Sequence, residues 1–217
     1  LGGWILKADL YLDKIDILAY LPRSNCAECG FSSCDQWLQE LRAGRTLIRQ
    51  CPSLPQGLTY ALEVVLNLER ILPPVEATLH PQPGHVGLLE INEPDEDSDV
   101  LVTGNSLITQ EVVLALLSTT SCGFHLLCVD CQGHTVDMAL IYNAFTPSRV
   151  YRSLRASELA DRVVTRRLVL PGAVSSLREE IQRTTGWETV AGPYCVGELP
   201  LFVGEKWSSP SSRRNPS

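Results

Sequence analysis

Apolar residues along this chain follow two different periods, and the change falls at a proline-rich stretch. Before it they recur at helical spacing. Leu10, Ile15, Ile17, Leu18 and Leu21 predict an amphipathic helix over 8–20. A second is predicted over 35–43, closed by Gly44. A third over 57–72 carries Leu58, Ala61, Leu62, Val65, Leu66 and Leu68 and stops at Pro73-Pro74. After the stretch, β-rich runs at 100–103, 124–129, 167–170 and 189–191 alternate with helical runs at 109–118, 136–144, 157–163 and 173–184. Such alternation specifies a parallel sheet with helices on both faces. The expected fold is therefore a small helical domain followed by an α/β domain of the Rossmann-like or flavodoxin-like kind.

The expected boundaries are a helical domain over 1–72, a linker over 73–85, an α/β domain over 86–207 and a disordered tail over 208–217. The linker, rich in Pro, Gly and His, reads as a semi-rigid hinge that lets one domain visit the other. His80 and His85 within it read as solvated, and so does the acidic run 90–99. The helical domain is too small to bury a large core, so bound metal is expected to supply much of its stability. The α/β segment is expected to fold by itself.

Composition narrows the partners. Length 217 with 44% hydrophobic residues fits a soluble globular protein, and no apolar run reaches the length of a membrane span. A cytoplasmic protein without a membrane segment is expected. A net charge of −7, with no basic stripe, argues against nucleic acid.

The chemistry lies in four of the eight cysteines. Cys26, Cys29, Cys34 and Cys51 stand in the pattern C-x2-C-x4-C-x16-C, in which three thiolates share a loop and a fourth arrives after a helix. That is the ligand set of a [4Fe-4S] cluster. A structural zinc site is the bland alternative, but such sites come as two separated pairs, and a tight triplet with a distant single does not divide that way. Disulfides fall behind both. Asn25 and Gly30 suit the sharp turn of such a loop, and Pro52 follows the fourth cysteine as a stop. Cys122, Cys128, Cys131 and Cys195 read as ordinary reduced thiols.

An α/β sheet binds its ligand beyond the carboxyl ends of its strands. Here those loops are 103–108, 130–135, 171–173 and 192–195, rich in Gly, Thr, Asn and Pro, which suits a large, flat, amide-decorated ligand approached closely by backbone. Neither G-x-G-x-x-G nor a Walker A lysine loop is present, and no Ser/His/Asp or Cys/His set stands out. His125, inside an apolar strand, reads as a satisfied core residue. His134, in a strand-end loop, is the histidine with a functional claim.

The stretch SNCAECGFSSC with Cys51 resembles the cluster domain of the large subunit of the corrinoid iron-sulfur protein of the reductive acetyl-CoA pathway. The segments VLVTGNSLIT (100–109), VDCQGHTVDMALIYNAF (129–145), RRLVLPGAV (166–174) and GWETVAGP (186–193) resemble its corrinoid-binding domain. The resemblance implies a [4Fe-4S] cluster and a cobalt corrinoid (a cobalamin) at the strand ends, held base-off with no protein histidine on the metal. It implies that Thr103, Asn105 and Thr109 line one side of the corrin. Gly133, His134, Thr135 and Val136 supply the next loop, while Gly172, Ala173, Gly192, Pro193 and Tyr194 surround the nucleotide tail. The family's large subunit carries a TIM barrel between the two domains, where this chain has only the short linker. The family places a threonine near the lower face of cobalt, and ungapped matching puts Met138, the chain's one methionine, there.

The function so implied is methyl transfer: a carrier that holds a methyl group on cobalt, cycling between Co(I) and methyl-Co(III), while the cluster returns accidental Co(II) to Co(I) by electron transfer. It is a component of a methyltransferase system and not a stand-alone enzyme. Implied partners are a methyltransferase of the methyltetrahydrofolate type, a methyl acceptor protein, a redox donor and a capping TIM-barrel subunit. Two other readings stand beside it. One is an electron-transfer or activator protein that serves another corrinoid protein; the other is a non-catalytic scaffold. The first predicts about one cobalt per chain and the others none.

Overall fold

The computed structural model describes residues 10–76 and 80–210. The cluster-bearing segment opens with two single 3-10 turns, Leu12–Lys14 and Ile17–Tyr20, where one amphipathic helix was expected. Tyr11 is left-handed and Ile15 extended, and the Asp16 carboxylate accepts from the Ala19 amide, so local side-chain bonding replaces helix. Helix α1 (Cys34–Arg42) starts on the Ser33 hydroxyl, which accepts from the Gln36 amide. The third expected helix is broken into α2 (Gln56–Leu66) and α3 (Leu68–Ile71), with the Asn67 side chain donating to the Glu63 carbonyl.

Strand β1 (Gly87–Ile91) follows, then β2 (Asp99–Gly104), α4 (Leu107–Leu117), β3 (Phe124–Val129) and α5 (Val136–Ile141). The chain continues through α6 (Pro147–Ala156), β4 (Arg167–Leu170), α7 (Arg178–Thr185), β5 (Glu188–Ala191) and α8 (Leu199–Val203). Sheet order is β1-β3-β2-β4-β5, with β2 to β5 parallel. Those four have the doubly wound order of the flavodoxin type. β1 is an antiparallel edge on β3 that the sequence did not suggest, and it takes Glu90 and Ile91 out of the expected acidic loop. Helix α6 was also missed: only Val150 and Leu154 of it are buried, a thin stripe among arginines. The helix expected over 157–163 is a 3-10 turn, Leu159–Asp161.

Alternate strand residues feed two cores. Val100, Val102, Leu127, Leu168 and Leu170 pack with Val150, Leu154 and Ile181 on one face. On the other, Leu101, Leu126 and Val169 join Val112 and Leu116 of α4, but also Trp37, Leu62, Val65 and Leu201. The helices before the proline-rich stretch thus share a core with one face of the sheet. The C-terminal turn closes the same layer: Trp207 packs on Phe124 with ring centroids 6.0 Å apart, and the Ser208 carbonyl accepts from the Ser121 amide at 2.9 Å. Ser208 is therefore anchored where a tail was expected, and 211–217 lie outside the described residues.

The hinge is also tied down along its described part. Leu72 and Val75 are buried. The Gln82 carbonyl accepts from the Leu107 amide at 2.8 Å, the Gly84 amide donates to the Asn105 carbonyl at 2.7 Å, and the Gln110 side chain bonds both the amide and the carbonyl of His85. Residues 80–85 run across the strand ends, held like an extra loop of the α/β unit.

Candidate functional site

β2 lies between β3 and β4, so the connections leaving β2 and β4 diverge to opposite faces and open a crevice at the strands' carboxyl ends. A cleft of about 500 Å³ sits there. Its floor is apolar, from Leu101, Val112, Leu126 and Val169, and its rim carries hydroxyls, small residues and rings.

The loops of the rim are braced from behind. Asn105 is buried, and its side-chain oxygen accepts from the Cys131 amide at 2.7 Å and the Gly133 amide at 3.0 Å. This fixes the turn after β3, in which Gln132 and Gly133 are both left-handed. At Gly133 a Cβ would lie 2.5 Å from the Pro83 nitrogen, so only glycine lets residues 82–83 cross so closely. On the other side, the Gly172 amide donates to the Pro193 carbonyl at 2.9 Å and the Gly192 amide to the Leu170 carbonyl at 2.7 Å, which ties the loops after β4 and β5 together.

Of the expected binding residues, Thr103, Thr109, Gly133, His134, Thr135 and Val136 line the cleft. Met138, Ala173, Gly192, Pro193 and Tyr194 line it too. Asn105 and Gly172 stand behind the wall as braces, with no place in the lining. His134 stacks on Tyr142, centroids 4.8 Å apart. Met138 projects from α5 and is 37% exposed. His125 is buried, with Nε2 3.2 Å from the Asp95 carbonyl and Nδ1 without a partner. It is a core residue, but only half satisfied.

Among the wall residues given no binding role from the sequence are Tyr11, Asp137 and Cys195. The Tyr11 hydroxyl donates to Asp137 Oδ2 at 3.2 Å and the Thr135 hydroxyl to Asp137 Oδ1 at 2.6 Å. Burial opposes ionisation of Asp137, but these hydroxyls and the amides at the head of α5 hold its carboxyl below the ordinary range. Asp137 lies within a segment already singled out by resemblance, beside Met138. Tyr11 carries no sequence signal, because its role depends on a non-helical path for residues 10–16.

The four candidate ligands stand in the layer that shares its core with the cleft floor, and none is in a disulfide. Cys26 is exposed, and its sulfur lies 3.4 Å from the Ser53 hydroxyl, which lowers the thiol's pKa. Burial raises that of Cys51, and the thiols of Cys29 and Cys34 add to the effect. Left-handed backbone recurs at Arg23, Asn25, Ala27 and Gly30, and the Asn25 side chain accepts from the Cys34 amide at 3.0 Å. Turns of this kind direct amides inward around anionic clusters. Among the described residues no three Cys, His, Asp or Glu side chains are drawn together tightly enough to hold a single ion. The four thiols and the left-handed turns around them suit a cluster in donor type and backbone shape. Burial pushes the thiols of Cys128 and Cys131 up to about 11.

A doubly wound α/β unit with a switch-point cleft, layered against a four-cysteine loop, defines a class of ligand-binding protein with a redox-metal motif. The CO dehydrogenase/acetyl-CoA synthase delta subunit family matches residues 77–203, more than half of the chain, and the chain belongs to it. A second family, described as "Putative Fe-S cluster", matches residues 21–53. The gamma subunit of the acetyl-CoA decarbonylase/synthase complex of Methanopyrus kandleri is 33% identical over 123 residues, covering 57% of this chain and 27% of that protein. The corrinoid/iron-sulfur protein large subunit of Moorella thermoacetica is 32% identical over 116 residues, 54% of this chain and 26% of that one. The Archaeoglobus fulgidus gamma subunit is 29% identical over 121 residues. The matched stretch thus spans about a quarter of the length of these relatives. Among the described residues, no helix is long and apolar enough to cross a membrane.

Proposed function

We propose that this chain is a corrinoid and iron-sulfur methyl carrier. The observation that carries the reading is that eleven residues chosen from the strand-end loops converge on one cleft at the switch point, in a chain that also presents four cysteines with cluster spacing. When bound there, a corrinoid supplies the nucleophilic metal that accepts a methyl group and passes it on. The chain's own part is to bind and orient. The apolar floor around Leu101 and Val169 excludes water, while Thr103, Thr109 and Thr135 offer hydroxyls to peripheral amides. The loops after β4 and β5, with Ala173, Gly192 and Tyr194, would receive the nucleotide tail of a base-off corrinoid. Met138 would face the lower side of the metal in place of a histidine.

Cys26, Cys29, Cys34 and Cys51 would hold a [4Fe-4S] cluster that restores the reduced metal. In this reading the division of labour runs between residues up to 72, which serve the cluster, and 86–207, which serve the corrinoid. Residues 54–76 alone separate the two family matches, which supports a compact form with no TIM barrel between them. The relatives are named as subunits of a complex, and we extend that expectation here: a methyltransferase, a methyl acceptor, a redox donor and a barrel subunit capping the corrin, in the cytoplasm.

The test is metal content after purification without air. The carrier reading expects about one cobalt, four iron and four sulfide per chain, with iron lost on Cys→Ala at any of the four positions. Iron without cobalt, even after incubation with corrinoid, would leave the electron-transfer activator as the function.

A further inference from the structure

We infer that residues 10–14 form a strap across the mouth of the cleft, and that Tyr11, latched on Asp137, is the residue that decides what can enter. The inference rests on the corrinoid reading for the identity of the ligand. Tyr11 joins walls from opposite sides of the switch point. Its hydroxyl donates to Asp137 at the head of α5, which follows β3, while its ring meets the ring of Tyr194, beyond β5, edge-on with centroids 5.5 Å apart. Next to it, the Leu10 carbonyl accepts from the Cys195 thiol at 3.1 Å. Lys14 Nζ lies 4.4 Å from the Tyr11 ring centroid and 5.5 Å from that of Tyr194, so one cation holds both rings.

The strap has a pivot. Ile15 and Ile17 are buried in the core shared with the sheet, so any swing of residues 10–14 turns about Ile15. Tyr11 itself is left-handed, at φ 57°, a conformation unfavourable for a bulky side chain, so the closed state is held against backbone strain by its side-chain contacts. With the strap closed the cleft measures about 500 Å³, the range of pockets for drug-sized ligands. A corrin macrocycle with its amides and nucleotide tail is larger than such a ligand. Closure therefore admits small molecules and excludes the corrinoid, which binds only the fraction of molecules with the strap open and loses apparent affinity by that fraction.

The variant that isolates the latch is Tyr11→Phe, which keeps the ring on Tyr194 and removes the bond to Asp137. Hydroxocobalamin uptake by corrinoid-free protein should become about tenfold faster and tighter, a factor in keeping with one hydrogen bond to a carboxylate. Asp137→Ala should add nothing further in the Tyr11→Phe background. Backbone hydrogen exchange gives a second readout, since the Lys14 and Ile15 amides are bonded to the Tyr11 and Leu12 carbonyls. Both amides should exchange faster in Tyr11→Phe. In the unaltered protein they should become equally fast once corrinoid is bound. Unchanged or weaker uptake by Tyr11→Phe would overturn the gate, as it would mean that Tyr11 is inert or holds the ligand. If neither protein takes up hydroxocobalamin, the corrinoid reading fails, and exchange alone decides the strap: equal rates in the two proteins would refute it.

Discussion

Leu62→Ala tests whether the cluster-bearing helices and the sheet are one cooperative unit. Leu62 has no exposed surface and lies in the core that contains Trp37 from its own layer and Leu101, Leu126 and Val169 from the sheet. Truncating a fully buried leucine costs about 2–5 kcal/mol, and the upper half of that range applies where rigid neighbours cannot collapse into the space. Here α8 and the turn at Gly204–Lys206 pack against α2, so about 3.5 kcal/mol is expected. For a chain of this size that lowers the thermal midpoint by about 7–14 °C. With a urea slope of about 3 kcal/mol/M it moves the denaturation midpoint by about 1 M. The assay is urea unfolding followed by tryptophan emission, which reports Trp37 and Trp207 in the helical layer and Trp187 in the other core, and by far-ultraviolet circular dichroism, which reports the sheet as a whole. One shared transition, displaced equally by both probes, is the expected result. A first step in emission alone, with the sheet melting at its unaltered midpoint, would refute the shared core. By the same reasoning a chain cut at Gly84 should be insoluble, because Leu101, Leu126 and Val169 would lose their cover.

Three further outcomes follow from single residues. Asn105→Ala leaves the Cys131 and Gly133 amides without their acceptor, so about 2–5 kcal/mol of stability and the shape of the rim should be lost together, measured by calorimetry and corrinoid titration. Gly133→Ala combines a left-handed position with a clash against the Pro83 backbone; limited proteolysis should show residues 80–85 released and stability down by at least about 1 kcal/mol. Met138→Ala should cost under about 1 kcal/mol, because the side chain is 37% exposed, yet it should change the absorption spectrum of bound corrinoid if the thioether faces the metal. An unchanged spectrum would return Met138 to the role of wall residue.

The parts of the fold that the sequence disclosed are those where burial is two-sided. β3 is legible at its observed bounds, Phe124–Val129, because every residue in it is buried and His125 alone interrupts the apolar run. α6 was not, since two buried residues among three arginines carry little periodic signal. The core shared by the helices and the sheet is not legible for a physical reason. Leu58, Leu62 and Val65 announce an apolar face at helical spacing, but periodicity does not say whether that face meets another helix or a sheet. At the site, loop residues after strands could be named because the α/β architecture says where ligands go. Asn105 was named for the wrong duty: a buried amide that braces a turn and one that touches a ligand look alike in sequence. Tyr11 was beyond reach, since it arrives at the cleft from more than a hundred residues away in the chain.

Because α2 brings Leu58, Leu62 and Val65 into the core that Leu101, Leu126 and Val169 enter from the strands, the cysteine loop and the cleft are mechanically linked. Trp37 of α1 and Val112 of the cleft floor belong to that same core, so strain at either end is carried to the other through packed side chains.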